Sequence, residues 1–132
     1  MNRQLIKIGS DPATYRLIEI LFGQAKDVSG NTVQIPKAGD VYVYFAGDSI
    51  CSASPSDHTP SNTSWIIYAP ASYKDSGTIE GSFVNDVDRN VTEIGLVLFA
   101  AGTKILIAKA CLAQPIHLSP GQEFKATVQF VL

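Results

Sequence analysis

Val91-Thr92-Glu93-Ile94-Gly95-Leu96-Val97-Leu98-Phe99 is an apolar run short enough, and rich enough in β-branched residues, to be a strand. Ala100-Ala101-Gly102-Thr103 then reads as a turn, and Lys104 to Leu112 as a second apolar strand. Beyond it, Ser119-Pro120-Gly121-Gln122 turns the chain into Glu123 to Leu132. Here Phe124, Ala126, Val128, Phe130 and Leu132 share one face, while Lys125, Thr127 and Gln129 share the other. Three strands in the last third of the chain predict a buried sheet, and a sheet of this kind decides the fold class.

Upstream, Thr78 to Asn85 and Trp65-Ile66-Ile67-Tyr68 read as further strands, the second stopped by Pro70. Asp40-Val41-Tyr42-Val43-Tyr44-Phe45 alternates, with Val41, Val43 and Phe45 on one face and two tyrosines on the other. A short edge strand is expected at 33–35, closed by Pro36, and another at Arg3 to Ile8. Between them residues 11–25 are expected to form a helix, with Asp11 as cap and Pro12 in the first turn. Its apolar stripe would be Leu17, Ile18, Leu21, Phe22 and Ala25, with Arg16 and Glu19 on one side. Residues 46–64 form a long polar loop, a length that in compact domains usually signals function or disorder. The expected fold is mainly β: one antiparallel β-sandwich domain over 1–132, jelly-roll-like, with one N-terminal α-helix.

A chain of 132 residues with 45% hydrophobic and 17% charged side chains suffices for one core. A net charge of −2 with scattered basic residues lacks the clustered Lys and Arg that nucleic acid demands, so no nucleic-acid partner is expected. No run approaches a membrane span and the N-terminus does not read as a signal peptide, so neither membrane nor export is expected. The sequons Asn62-Thr63-Ser64 and Asn90-Val91-Thr92 are therefore read as chance. Cys51 and Cys111 show no metal-ligand spacing. Each reads as a small buried hydrophobe, a single disulfide between them being the rarer alternative in a cytoplasm.

Catalytic constellations are weak. Asp48, Asp57 and His58 share the polar loop, but their spacing suits no cation, and no metal or other cofactor is expected. His117 alternates with apolar neighbours and belongs on the solvent face of a strand. Asp86 and Asp88 flank a turn beside Arg89 and read as turn formers, and no nucleophile elbow occurs. An enzyme is not expected. Tyr42, Tyr44, Trp65, Tyr68 and Tyr73 offer flat rings with polar handles that would suit a glycan or partner face, although sheet packing explains the same residues. Leu5, Ile6 and Ile8 in the terminal strand could pair with a neighbouring subunit's sheet.

The phrase Val91 to Leu96 followed by Phe99, then Ala101-Gly102-Thr103 and Ile105-Leu106-Ile107-Ala108, resembles a pattern of tailed-bacteriophage virion proteins, in particular tail-collar and tail-fibre attachment domains. Gln114-Pro115-Ile116 with the Gly121-Gln122 turn is similar to the segment preceding their last strand, and Val41 to Asp48, ending Phe-Ala-Gly-Asp, is similar to their N-terminal half. Ala100 stands where an acidic residue commonly follows the aromatic of that phrase. The resemblance implies a non-enzymatic virion component, made in the host cytoplasm. It would assemble as a homo-oligomer with other virion proteins in a tail, collar, fibre or head. The alternative is a carbohydrate- or receptor-binding β-sandwich meeting a host-surface glycan, and a small β-barrel enzyme is a distant third.

Overall fold

A computed structural model describes residues 2–9, 12–23, 26–33, 39–54, 57–61, 64–74 and 77–131. Its elements are β1 (Asn2–Gly9), α1 (Pro12–Leu21), β2 (Asp40–Gly47), β3 (Ile66–Pro70), β4 (Ser72–Tyr73), β5 (Thr78–Val84), β6 (Arg89–Ala100), β7 (Thr103–Leu118) and β8 (Glu123–Val131). They form two four-stranded sheets, ordered β1-β8-β5-β4 and β3-β2-β6-β7. The mainly β sandwich with one short N-terminal helix is thus the architecture of the chain. The expected cap Asp11, positions 34 and 35 of the 33–35 strand, Ala25 and Leu132 lie outside the described residues.

Period-two alternation makes the core. Val41, Val43 and Phe45 of β2 and Ile94, Leu96 and Leu98 of β6 face Ile79 of β5 and Phe124, Ala126, Val128 and Phe130 of β8. Phe45 meets Phe124 edge-on at 5.4 Å and Phe83 at 4.7 Å between ring centroids. The sheets approach tightly at Gly81, where an added Cβ would lie 2.7 Å from Val43 Cβ. Only glycine permits that approach.

Four details depart from the expectations. β1 joins β8 in parallel, Asn2 opposite Phe124 through Gly9 opposite Val131, so the sandwich is not wholly antiparallel. A strand that leaves into a helix, rather than a hairpin, is free to pair in that direction. The helix stops at Leu21 rather than 25, because Gly23 at φ 68° supplies the left-handed residue that ends helices. Leu17, expected in its apolar stripe, is 61% exposed, while Ile18 is 2% exposed and Leu21 and Phe22 pack on the core. The helix rests one narrow edge on the sandwich, with Phe22 against Tyr73 at 5.5 Å. Finally, β7 runs to Leu118, not Leu112. Its pairing jumps from Glu93↔Cys111 to Val91↔Ile116, so 112–115 bulge out opposite Thr92 and Pro115 has no ladder bond to lose.

Phe124→Ala should destabilise the domain by about 3–5 kcal/mol, the usual cost of emptying an aromatic from a packed core. Urea unfolding followed by tryptophan fluorescence measures it, and a loss below 1 kcal/mol would contradict the central place given to this ring.

Candidate functional site

The outer face of the β3-β2-β6-β7 sheet carries the densest polar chemistry of the chain. Alternation turns Tyr42, Tyr44 and Ala46 of β2 away from the core, and in register beside them Glu93, Gly95, Val97 and Phe99 of β6. Tyr44 and Glu93 are nevertheless fully buried. The Tyr44 hydroxyl donates to Glu93 Oε2 at 2.6 Å, and the Ser61 backbone N–H donates to both carboxylate oxygens at 3.1 and 3.0 Å. Burial pushes the phenol's pKa far above its ordinary value and the Glu93 carboxylate pushes it further, so Tyr44 remains a protonated donor. Its ring lies across Gly95, where an added Cβ would stand 2.4 Å from Tyr44 Cε1 and 2.2 Å from the Ala108 carbonyl oxygen. Glycine is required there so that the phenol can reach the carboxylate.

The polar segment following β2 closes over these residues. Its first residue, Asp48, has φ 72°, accepts from Trp65 Nε1 at 2.7 Å and from the Asn90 N–H at 2.9 Å, and donates its own N–H to the Asn90 carbonyl at 3.1 Å. Arg89 stacks over the Trp65 ring at 4.8 Å from its centroid. Thr92 Oγ1 donates to the Ser49 carbonyl at 3.1 Å, and Cys51 is joined to Cys111 by a disulfide. Further along, Lys109 Nζ reaches Asp57 Oδ2 at 2.9 Å and the Thr59 carbonyl at 3.1 Å, with its side chain only 7% exposed. The Lys109 ammonium, through a hydrogen bond, holds the Asp57 carboxyl below the usual carboxylate range, helped by the Ser54 N–H. Among its described residues, the 46–64 stretch is therefore a roof fastened to the sheet at Asp48, Ser49, Cys51, Asp57, Thr59 and Ser61.

The two cysteines correct an expectation. They are not separate buried hydrophobes but a staple between the roof and β7, across 60 residues of sequence. The cause is register: Glu93↔Cys111 pairing puts Cys111 on the outer face, beneath the roof. Asp48 and Asp57, grouped with His58 in the sequence reading, make separate contacts. Asp48 serves Trp65 and Asn90, whereas Asp57 and His58 line a cleft with Lys109, Ile8 and Phe130. His117 is on the solvent side, with ring nitrogens 3.1 Å from Asn90 Oδ1 and 3.4 Å from Asp88, and Asp86 pairs with Arg89 at 3.2 Å.

The aromatics proposed as one face divide. Tyr42 and Tyr68 both contact Phe99, at 4.5 and 5.1 Å between centroids, on the outer face. Tyr44 shares that face but lies under the roof, Trp65 packs at the strand end beneath Arg89, and Tyr73 belongs to the other sheet. Leu5, Ile6 and Ile8 pair with the chain's own β8; Ile6 is in the core and Leu5 is exposed. Sequence reasoning overlooked Glu93, Gly95, Ser61 and Lys109. The available signal was the unbroken apolar run Ile94 to Phe99, which marks a strand covered on both faces. No protein-family model matches this chain, and neither does any curated protein or solved structure.

Tyr44→Phe keeps the ring but leaves the buried Glu93 carboxylate one donor short, and should cost about 1–3 kcal/mol in urea unfolding. Replacing both Cys51 and Cys111 by Ser should cost about 4 kcal/mol, the chain-entropy value for a loop of this size. Added dithiothreitol should lower the wild type to the stability of the double variant and leave the variant unchanged. A wild type indifferent to reductant would contradict the staple.

Proposed function

We propose that this chain is a non-enzymatic structural component of a tailed-phage virion, in the tail, collar, fibre-attachment or head-decoration class, assembling through protein contacts as a homo-oligomer. The observation that carries the reading is the position of two of the phrases behind the resemblance. Val41 to Asp48 and Val91 to Leu96 lie side by side on β2 and β6 and meet through Tyr44–Glu93. These two segments of the resemblance support the reading by sharing one physical device, the fastening of the roof.

The same device explains how the ionisable groups are used. Glu93, Tyr44, Lys109, Asp57 and Asp48 tie the roof to the sheet. A sheet fastened in this way is suited to meeting neighbours in fixed orientation, which symmetric particles require. A glycan-binding role is less favoured, since Tyr44 is buried and Tyr73 belongs to the other sheet, so the rings do not make one exposed face.

Mass spectrometry of particles purified from the phage or induced lysogen encoding this chain should find it at several copies per virion. Its absence from purified particles would sink the virion reading.

A further inference from the structure

β1 ends the β1-β8-β5-β4 sheet. Among the described residues one of its edges pairs with β8 and the other meets no strand, so backbone N–H and C=O groups stand open along it. Its two faces differ. Ile6 and Ile8 turn to the core, while Arg3, Leu5 and Lys7 alternate with them on the outside and are exposed, Leu5 by 50%. Arg3 stands opposite Lys125 of β8, whose ammonium is held by Glu80 at 3.0 Å, and Glu80 also meets Lys74 at 3.9 Å. Arg3 and Lys7, about 13 Å apart along the strand, are left without an acidic partner among the described residues.

A cleft of about 540 Å³ begins at Ile8 and continues past Phe130 to Ile107 and Ala108 of β7, the end strand of the opposite sheet. The roof contributes Asp57 and His58 to its lining. Asp57 is already paired with Lys109 at 2.9 Å, so the wall from Ile8 to Ile107 is a place for apolar side chains.

We propose that the free edge of β1 receives an extended acidic segment of a different protein, added as the next strand of the β1-β8-β5-β4 sheet. A strand laid there alternates as β1 does. One set of its side chains points to the side of Ile6 and Ile8, where the cleft takes apolar groups, and the other set comes beside Arg3 and Lys7, which call for carboxylates. The segment that fits therefore alternates apolar and acidic residues. Charge also decides against a second copy as the occupant. Asn2–Gly9 carries two positive side chains and no negative one, so two β1 strands laid edge to edge repel in any register. Basic residues on an open edge turn like strands away, and an acidic strand is the one they admit. The virion reading is not needed for this edge, and the two are tested separately.

The test uses the full chain and a synthetic peptide alternating valine and glutamate, as long as the eight residues of β1. Wild type should bind it with an affinity that falls as salt is raised. Amide NMR shifts should map to β1 and the cleft, and hydrogen exchange should slow along β1. Arg3→Glu/Lys7→Glu should weaken binding by about tenfold or more, through lost attraction and added repulsion at exposed sites, and should instead bind the peptide alternating valine and lysine. Both positions are exposed, so the thermal melt of the variant should match wild type. Failure of wild type to bind, shifts that map elsewhere, or a variant that keeps the preference for glutamate would each overturn the proposal. Equal binding of a scrambled peptide without alternation, or of a DNA oligonucleotide of the same charge, would reduce the edge to general polyanion attraction and overturn it as well. None of these outcomes changes whether the chain is found in purified particles.

Discussion

A carboxylate with no access to water must find donors within the protein, and Glu93 imposes that demand on everything around it. It projects from the outer face of β6, where a single-layer surface would leave it solvated. The Tyr44 hydroxyl and the Ser61 N–H meet the demand, and to do so the segment after β2 must fold back over the sheet. Gly95 follows from the same requirement, since any side chain there would displace the phenol. The roof, the Cys51–Cys111 staple and the Asp57–Lys109 pair are arranged around this one buried group.

The roof also divides the sheet's outer face into two regions of different character. Beneath it, polar groups are paired with each other and with backbone, and the geometry is held covalently at one point. Outside it, rings and aliphatic side chains remain half-exposed beside Lys104. Both regions belong to the same strands, β2, β6 and β7.

Much of the fold was legible without coordinates. The alternation in Glu123 to Phe130 placed Phe124, Ala126, Val128 and Phe130 on the core face, and Val41, Val43 and Phe45 were separated from the tyrosines as the structure has them. The polar stretch at Lys26 points to a helix that ends later than it does, because Gly23 in the left-handed region stops it at Leu21. The site was largely illegible. Asp57 and Lys109 are 52 positions apart, and nothing in either neighbourhood indicates the other. A polar loop looks the same in sequence whether solvent or a buried glutamate receives its hydrogen bonds.

The sequence by itself determined which residues alternate, and hence the strands, the core face of each and the mainly β class, because side-chain periodicity is a local property of the backbone. Tertiary structure alone decided that β1 runs parallel to β8, that Cys51 reaches Cys111, and that Ser61 of the polar loop reaches Glu93. Those outcomes depend on which strand lies beside which and in what register. Register is set by the packing of residues far apart in the chain, so local pattern cannot contain it.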